Sequence, residues 1–248
     1  MNIFGSANTL QAPTSFPLDH TELDHLGARI VQTSGAGRAV RVLVTGPTRG
    51  TGSSTLAWAL VQRAVLEGQR VLFLDLDPLT PFTRQVLALD TQEEVRIAGT
   101  LLTRPWKLPG RTLEIAGIRS GPAAAANRNV TADQLDREIA VLSENYDLIV
   151  ADGAPVAARR STGALDGCAI AGLFDLTFVT VMAGLTGAGQ LRSVLARLTQ
   201  MGGTVGGLIL NERELERPLD GLLRRGRQIA ARWPWTLRLL GLRPRNAF

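Results

Sequence analysis

The chain has 248 residues, 45 % of them hydrophobic and 20 % charged, with a formal net charge of +5. That length suits a single α/β domain with an ample core, and one cysteine, Cys168, excludes an internal disulfide. No uninterrupted run of about 18 apolar residues is present, and the N-terminal Met-Asn-Ile-Phe-Gly-Ser-Ala-Asn lacks a basic segment followed by an apolar one. No membrane span and no signal peptide are therefore expected, which makes the cytoplasm the expected location.

The first 18 residues are polar and contain proline, and are expected to form a loose arm. Residues 19–33 read as a helix, with Asp19 or Thr21 as its cap. Strands are predicted over Val42–Thr45, Arg70–Asp75, Leu113–Ile118, Asp147–Asp152, Leu176–Met182 and Val205–Asn211. Helical patterns fall between them, over 54–67, 131–144 and 186–201. Apolar strand runs alternating with amphipathic helices predict an α/β fold with a single doubly wound, mostly parallel sheet and helices on both faces. The organisation expected is an arm (1–18), a domain (19–218) and a basic tail (219–248).

The densest chemistry follows the first strand. Residues 41–55 read Arg-Val-Leu-Val-Thr-Gly-Pro-Thr-Arg-Gly-Thr-Gly-Ser-Ser-Thr: a buried strand, a glycine-rich turn, then hydroxyls opening a helix. That is the layout of a phosphate-binding loop. Gly50 and Gly52 let backbone N–H groups wrap an anion, and Ser54 and Thr55 begin a helix whose N-terminus favours negative charge. In such loops a lysine follows the last glycine and a hydroxyl after it reaches magnesium. Here those positions are Ser53 and Ser54. Lys107 is the only lysine in the chain. Losing the loop lysine removes a charge-assisted contact worth roughly 1.5–3 kcal/mol. Arg49 lies inside the loop, but a planar guanidinium is a poor copy of an ammonium point charge.

Acids accompany the loop. The second strand ends at Asp75, with Asp77 two residues on, and the fourth ends at Asp152. Ligands of open parallel sheets sit beyond the carboxyl ends of the strands, where all three would lie. Carboxylates there can hold Mg²⁺ or its waters and orient an attacking water. Taken singly, each acid also reads as a helix cap or a solvated strand end.

With these residues the chain resembles the deviant-Walker P-loop family that includes MinD, ParA and the bacterial tyrosine kinases of polysaccharide export, and within it the CpsD/CapB-like group. The resemblance runs from about residue 20 to residue 217. It covers Arg49-Gly-Thr-Gly-Ser-Ser-Thr55, the strand ending in Asp75 and Asp77, the segment Tyr146 to Pro155, and Gly207-Leu-Ile-Leu-Asn211. It implies a P-loop NTPase-like fold with Mg-ATP or Mg-ADP as ligand. The implied nucleotide-binding residues are Arg49, Gly50, Thr51, Gly52, Ser53, Ser54 and Thr55, with Asn211 near the adenine. Ser54, Asp75 and Asp152 would hold Mg²⁺, and Asp75, Asp77 and Asp152 would serve any catalysis.

The sequence departs from that family in four places. The lysine position is Ser53, and the second lysine that MinD and ParA carry early in the loop is Thr48. The kinase branch ends in a tyrosine cluster, whereas the one tyrosine here is Tyr146. The family's oligomerisation motif, Glu-x-x-Arg-x-x-Arg, is not reproduced, since Glu22 is followed by His25 and Ala28. The expectation is therefore a catalytically degenerate relative, retained as a regulator or scaffold in exopolysaccharide or capsule biosynthesis and export. Its implied partner is the cytoplasmic part of a membrane polysaccharide co-polymerase, or a true kinase homologue. Homo-oligomerisation stays open. The alternative is an active ATPase of the MinD or ParA type, positioning cargo at membrane or nucleoid; a tyrosine kinase acting on Tyr146 or on a partner is the third reading.

After Asp220 the tail carries seven arginines and no acid; taken from +5, they leave residues 1–220 at −2. Arginine beside Trp233, Trp235 and several leucines suits a membrane interface through residues 219–243, which would place the protein at the inner face of the membrane. Pro234 would split any helix there. A terminal helix packed on the domain is the plainer reading, and nucleic acid is disfavoured because lysines and stacking motifs are absent. His20 and His25, five apart, do not share a helix face, and Ser53 and Ser54 have no histidine to activate them. Cys168 and Trp58 read as core.

Overall fold

The computed structural model describes residues 20–33, 35, 38–77, 106–107, 112–117, 131–156 and 167–212. The expected arm (1–18) and tail (219–248) lie outside them. Seven strands form one sheet: β1 (Val40–Thr45), β2 (Val71–Asp75), β3 (Trp106–Lys107), β4 (Leu113–Gly117), β5 (Leu148–Asp152), β6 (Leu176–Met182) and β7 (Val205–Asn211). Their order is β3-β4-β2-β5-β1-β6-β7. Six are parallel; the two-residue β3 runs antiparallel along the edge of β4. The helices are α1 (His20–Thr33), α2 (Ser53–Leu66), α3 (Ala132–Ser143), the single turn α4 (Gly167–Ile170) and α5 (Ala188–Gln200).

The expected doubly wound sheet is therefore present, and each predicted strand and helix lies within two residues of its place. β3 and α4 were not expected, because two residues of strand and one turn of helix are too short to carry a periodicity. β3 also locates the chain's lysine. The backbone of Lys107 pairs opposite Glu114, with β4, β2 and β5 between it and β1.

Side chains on successive strand residues point to opposite faces, and here both faces are apolar. Val40, Val42 and Val44 of β1, Val71 and Phe73 of β2, Leu148 and Val150 of β5, and Leu176 and Phe178 of β6 pack against α1 and α2. The intervening Leu43, Leu72, Leu74, Ile149, Ala151, Val179 and Val181 pack against α3, α4 and α5. This is why β2, β5 and β6 are buried at every position and read as continuous apolar runs. Helix α2 is the most deeply placed, burying Leu56, Ala57, Trp58, Leu60, Val61 and Ala64, each of the large side chains worth roughly 1.5–3 kcal/mol. Trp58 meets Phe73 edge-on, with ring centroids 5.7 Å apart; Trp58→Ala would cost about 3–5 kcal/mol.

Candidate functional site

Period-two alternation carries a set of polar residues to the α2 face. Asp75 follows Val71 and Phe73, Asp152 follows Leu148 and Val150, Thr180 follows Leu176 and Phe178, and Asn211 follows Ile209. Asp75, Asp152 and Asn211 end their columns, and Thr180 interrupts its own one step before Met182, close to where α2 begins. Parallel register then sets Asp75 beside Asp152 and Asp152 beside Val44. A slip of one residue in any strand would turn its polar residue to the opposite face.

The loop between β1 and α2 needs its glycines for separate reasons. Gly50 and Gly52 have φ of 81° and 94°, a left-handed region costly to any side chain. Gly46 is required by contact, since a Cβ there would lie 2.1 Å from Thr51 Oγ1. Gly52 caps α2 without a side-chain hydrogen bond, and the first turn holds no acid. The opening N–H groups of α2 therefore lack an intrahelical acceptor, the arrangement that receives an anion.

The three acids are buried: Asp75 is 2 % exposed, Asp77 7 % and Asp152 1 %. Arg49, from the loop, grips Asp77 with two hydrogen bonds of 2.8 and 3.2 Å. Both oxygens of Asp152 are sealed from solvent, and neither closes a hydrogen bond. Burial holds the Asp152 carboxyl well above the ordinary carboxylate range; the adjacent Ser54 hydroxyl opposes this, while the charges of Asp75 and Asp77 add to it. A buried carboxylate without hydrogen-bond donors is costly on its own and suits a hard cation. Among the described residues no group of three or more His, Cys, Asp and Glu side chains forms a metal cluster. The donors present, Ser54, Asp75 and Asp152, instead fit an Mg²⁺ that takes the rest of its shell from phosphate oxygens and water.

The structure thus gathers Arg49, Gly50, Thr51, Gly52, Ser53, Ser54 and Thr55 into one loop and helix start, beside Asp75, Asp77 and Asp152. Ser53 is the half-buried first residue of α2. Asn211 is 4 % exposed and donates from Nδ2 to the Thr51 carbonyl at 3.1 Å. Sequence reasoning missed Gly46, Thr45 and Thr180, whose contacts hold the loop. Thr180 did carry a signal, a polar residue in the apolar column of β6. Tyr146 is buried and donates to Glu114 Oε2 at 2.7 Å; burial first, then Glu114, raise its pKa. Cys168 and Trp58 are core, as expected, and His25 is exposed on α1. No described helix is long and apolar enough to cross a membrane.

No protein-family model matches the chain, and no curated protein matches it by sequence. Solved structures do match. The described fold is α/β and P-loop NTPase-like. The chain is similar to the kinase domain of the Escherichia coli tyrosine kinase ETK, with 16 % identity, 79 % of this chain and 77 % of that one covered, and a TM-score of 0.62. It is similar to the BceF tyrosine kinase domain, with 21 % identity, coverage of 77 % and 74 %, and a TM-score of 0.56. It is also similar to the septum site-determining protein MinD complexed with Mg-ADP from Pyrococcus horikoshii, with 18 % identity, 72 % of each chain covered and a TM-score of 0.56.

Proposed function

We propose that this chain is a catalytically degenerate, tyrosine-kinase-like P-loop protein that acts as a regulator or scaffold in exopolysaccharide or capsule biosynthesis and export. The observation that carries the reading is the pairing of Ser53 at the lysine position with an Arg49 already bound to Asp77. The loop keeps its anion-binding backbone but has lost its cation for the β- and γ-phosphates. In this reading the N–H groups of the loop hold the phosphates of Mg-ATP or Mg-ADP. Ser54, Asp75 and Asp152 hold the magnesium, which when bound neutralises phosphate oxygens. Asp77 is tied to Arg49 and orients the loop. Hydrolysis and phosphotransfer are slow, because phosphoryl transfer relies on positioned charge that this loop lacks.

The partner fitting this reading is the cytoplasmic part of a membrane polysaccharide co-polymerase, or an active kinase homologue, with the chain at the inner face of the membrane. The similarity to kinase domains such as ETK and BceF supports the choice. A second reading, an active MinD-type ATPase, is favoured by the unpaired Asp152, which fits an occupied magnesium site, and by the fold shared with an Mg-ADP complex.

Calorimetric titration with Mg-ATP and Mg-ADP tests this, using the native chain and Ser53→Lys. Weak or absent binding by the native chain, gained in Ser53→Lys by roughly tenfold or more, is expected. Tight binding with turnover by the native chain would overturn the degenerate reading in favour of the ATPase.

A further inference from the structure

The loop is flanked unequally. On the β5 and β2 side stand the acids; on the β6 and β7 side stand two uncharged residues that touch its backbone. Thr180 Oγ1 donates to the Thr45 carbonyl at 3.2 Å and lies 2.9 Å from Thr51 Oγ1. Thr51 Oγ1 in turn reaches the Thr48 carbonyl at 3.3 Å. Asn211 Nδ2 reaches the Thr51 carbonyl at 3.1 Å. Thr51 is 1 % exposed and Thr180 fully buried, so these bonds form without competition from water. With the Thr180 proton on the Thr45 carbonyl, Thr180 can only accept from Thr51, whose single proton then serves Thr180 at 2.9 Å rather than the more distant Thr48 carbonyl, and that chain of hydroxyls joins the end of β1 to Thr51.

We propose that Thr180 and Asn211 are positioning residues that hold the phosphate loop in its anion-receiving shape. Asn211 bonds loop backbone at Thr51, and Thr180 bonds the Thr45 carbonyl where β1 ends and the Thr51 hydroxyl beyond it, each from a strand that contributes no acid. Gly46 is the counterpart of the clamp: its missing Cβ makes the space in which Thr51 Oγ1 sits, 2.1 Å from where that Cβ would be and with Thr180 Oγ1 3.0 Å from it. Asn211 thus acts from behind the loop, through Thr51, whatever else it touches. The clamp orders the loop before any ligand arrives, so that ligand binding does not have to supply the ordering. The proposal rests on the reading of the loop as an anion cradle, but its main test does not need a ligand.

The test is ¹⁵N relaxation dispersion on the full chain, comparing native protein, Thr180→Val, Thr180→Ser and Asn211→Ala. Flat profiles are expected for Gly46 to Ser54 in the native protein and in Thr180→Ser. Thr180→Val should show exchange confined to that loop, with the amides of β2, β5 and α3 unmoved. Asn211→Ala carries the same expectation should Thr180→Val fail to fold. Mg-ATP affinity, where the native chain binds, should fall about fivefold in Thr180→Val and return in Thr180→Ser. A rigid loop in both Thr180→Val and Asn211→Ala, or perturbation spread evenly over the sheet, would overturn the clamp. Absence of Mg-ATP binding by both the native chain and Ser53→Lys would sink the nucleotide reading and leave the clamp to be judged on dispersion alone.

Discussion

The two ends of the sheet handle charge in opposite ways. Toward the amino ends of the strands, four acids of the described residues are met by an arginine or a hydroxyl. Asp175 takes Arg38 and the backbone N–H of Arg41, Asp136 takes the Arg41 guanidinium, Asp147 takes Arg70, and Glu114 takes the Tyr146 hydroxyl. At the carboxyl ends, Asp75, Asp77 and Asp152 crowd into a buried space with Arg49 gripping Asp77, and Asp152 is left without a hydrogen bond. Paired charges near water cost little and contribute little; crowded, buried ones are kept against their own repulsion. The contrast separates an end whose acids are paired from one whose acids are crowded and buried.

Substitutions of the acids and their partners at the two ends should therefore differ in sign, while a change in the loop itself should be the largest. The largest effect belongs to Gly46→Ala, whose methyl must displace Thr51 from the loop floor; a loss of about 2–3 kcal/mol is expected in denaturant unfolding. Asp152→Asn should go the other way, stabilising the ligand-free chain by about 1 kcal/mol, because it removes a carboxyl whose charged form burial and the neighbouring Asp75 and Asp77 disfavour. The same change should weaken magnesium-dependent nucleotide binding, so a variant that is less stable would break the comparison.

At the amino end, Tyr146→Phe should cost about 1 kcal/mol by leaving Glu114 without its donor. Intact-mass measurement after incubation with Mg-ATP should find no phosphate on the native chain, since Tyr146 is a buried residue and its hydroxyl is engaged by Glu114. Phosphotyrosine on that residue would revive the kinase reading.

The smallest effect concerns pH. The Arg70 side chain, and then its backbone N–H, hold the Asp147 carboxyl below its usual range. A depressed folded-state pKa contributes stability that is present above the unfolded value, about 4, and is lost as pH falls through the folded one. Asp147→Asn should remove a shallow acid-side slope from the unfolding midpoint, shallow because the pair is about half exposed. An unchanged slope would place the acid sensitivity elsewhere.

The alternation of apolar strands with helical patterns was enough to predict six of the seven described strands and four of the five described α-helices. Burial on both faces writes long apolar runs that are hard to misread. The loop and the acids were legible for a similar reason: glycines at left-handed positions and aspartates at strand ends are local requirements. Chain order alone did not give the strand order β3-β4-β2-β5-β1-β6-β7, and so could not say that Asp75 and Asp152 stand side by side while Lys107 lies at the far edge. Nor could it pair Arg49 with Asp77, or bring Thr180 and Asn211 under Thr51 across separations of 129 and 160 residues. Those contacts join residues whose spacing in sequence carries no period, and only the folding of the sheet around β1 brings them within hydrogen-bonding distance.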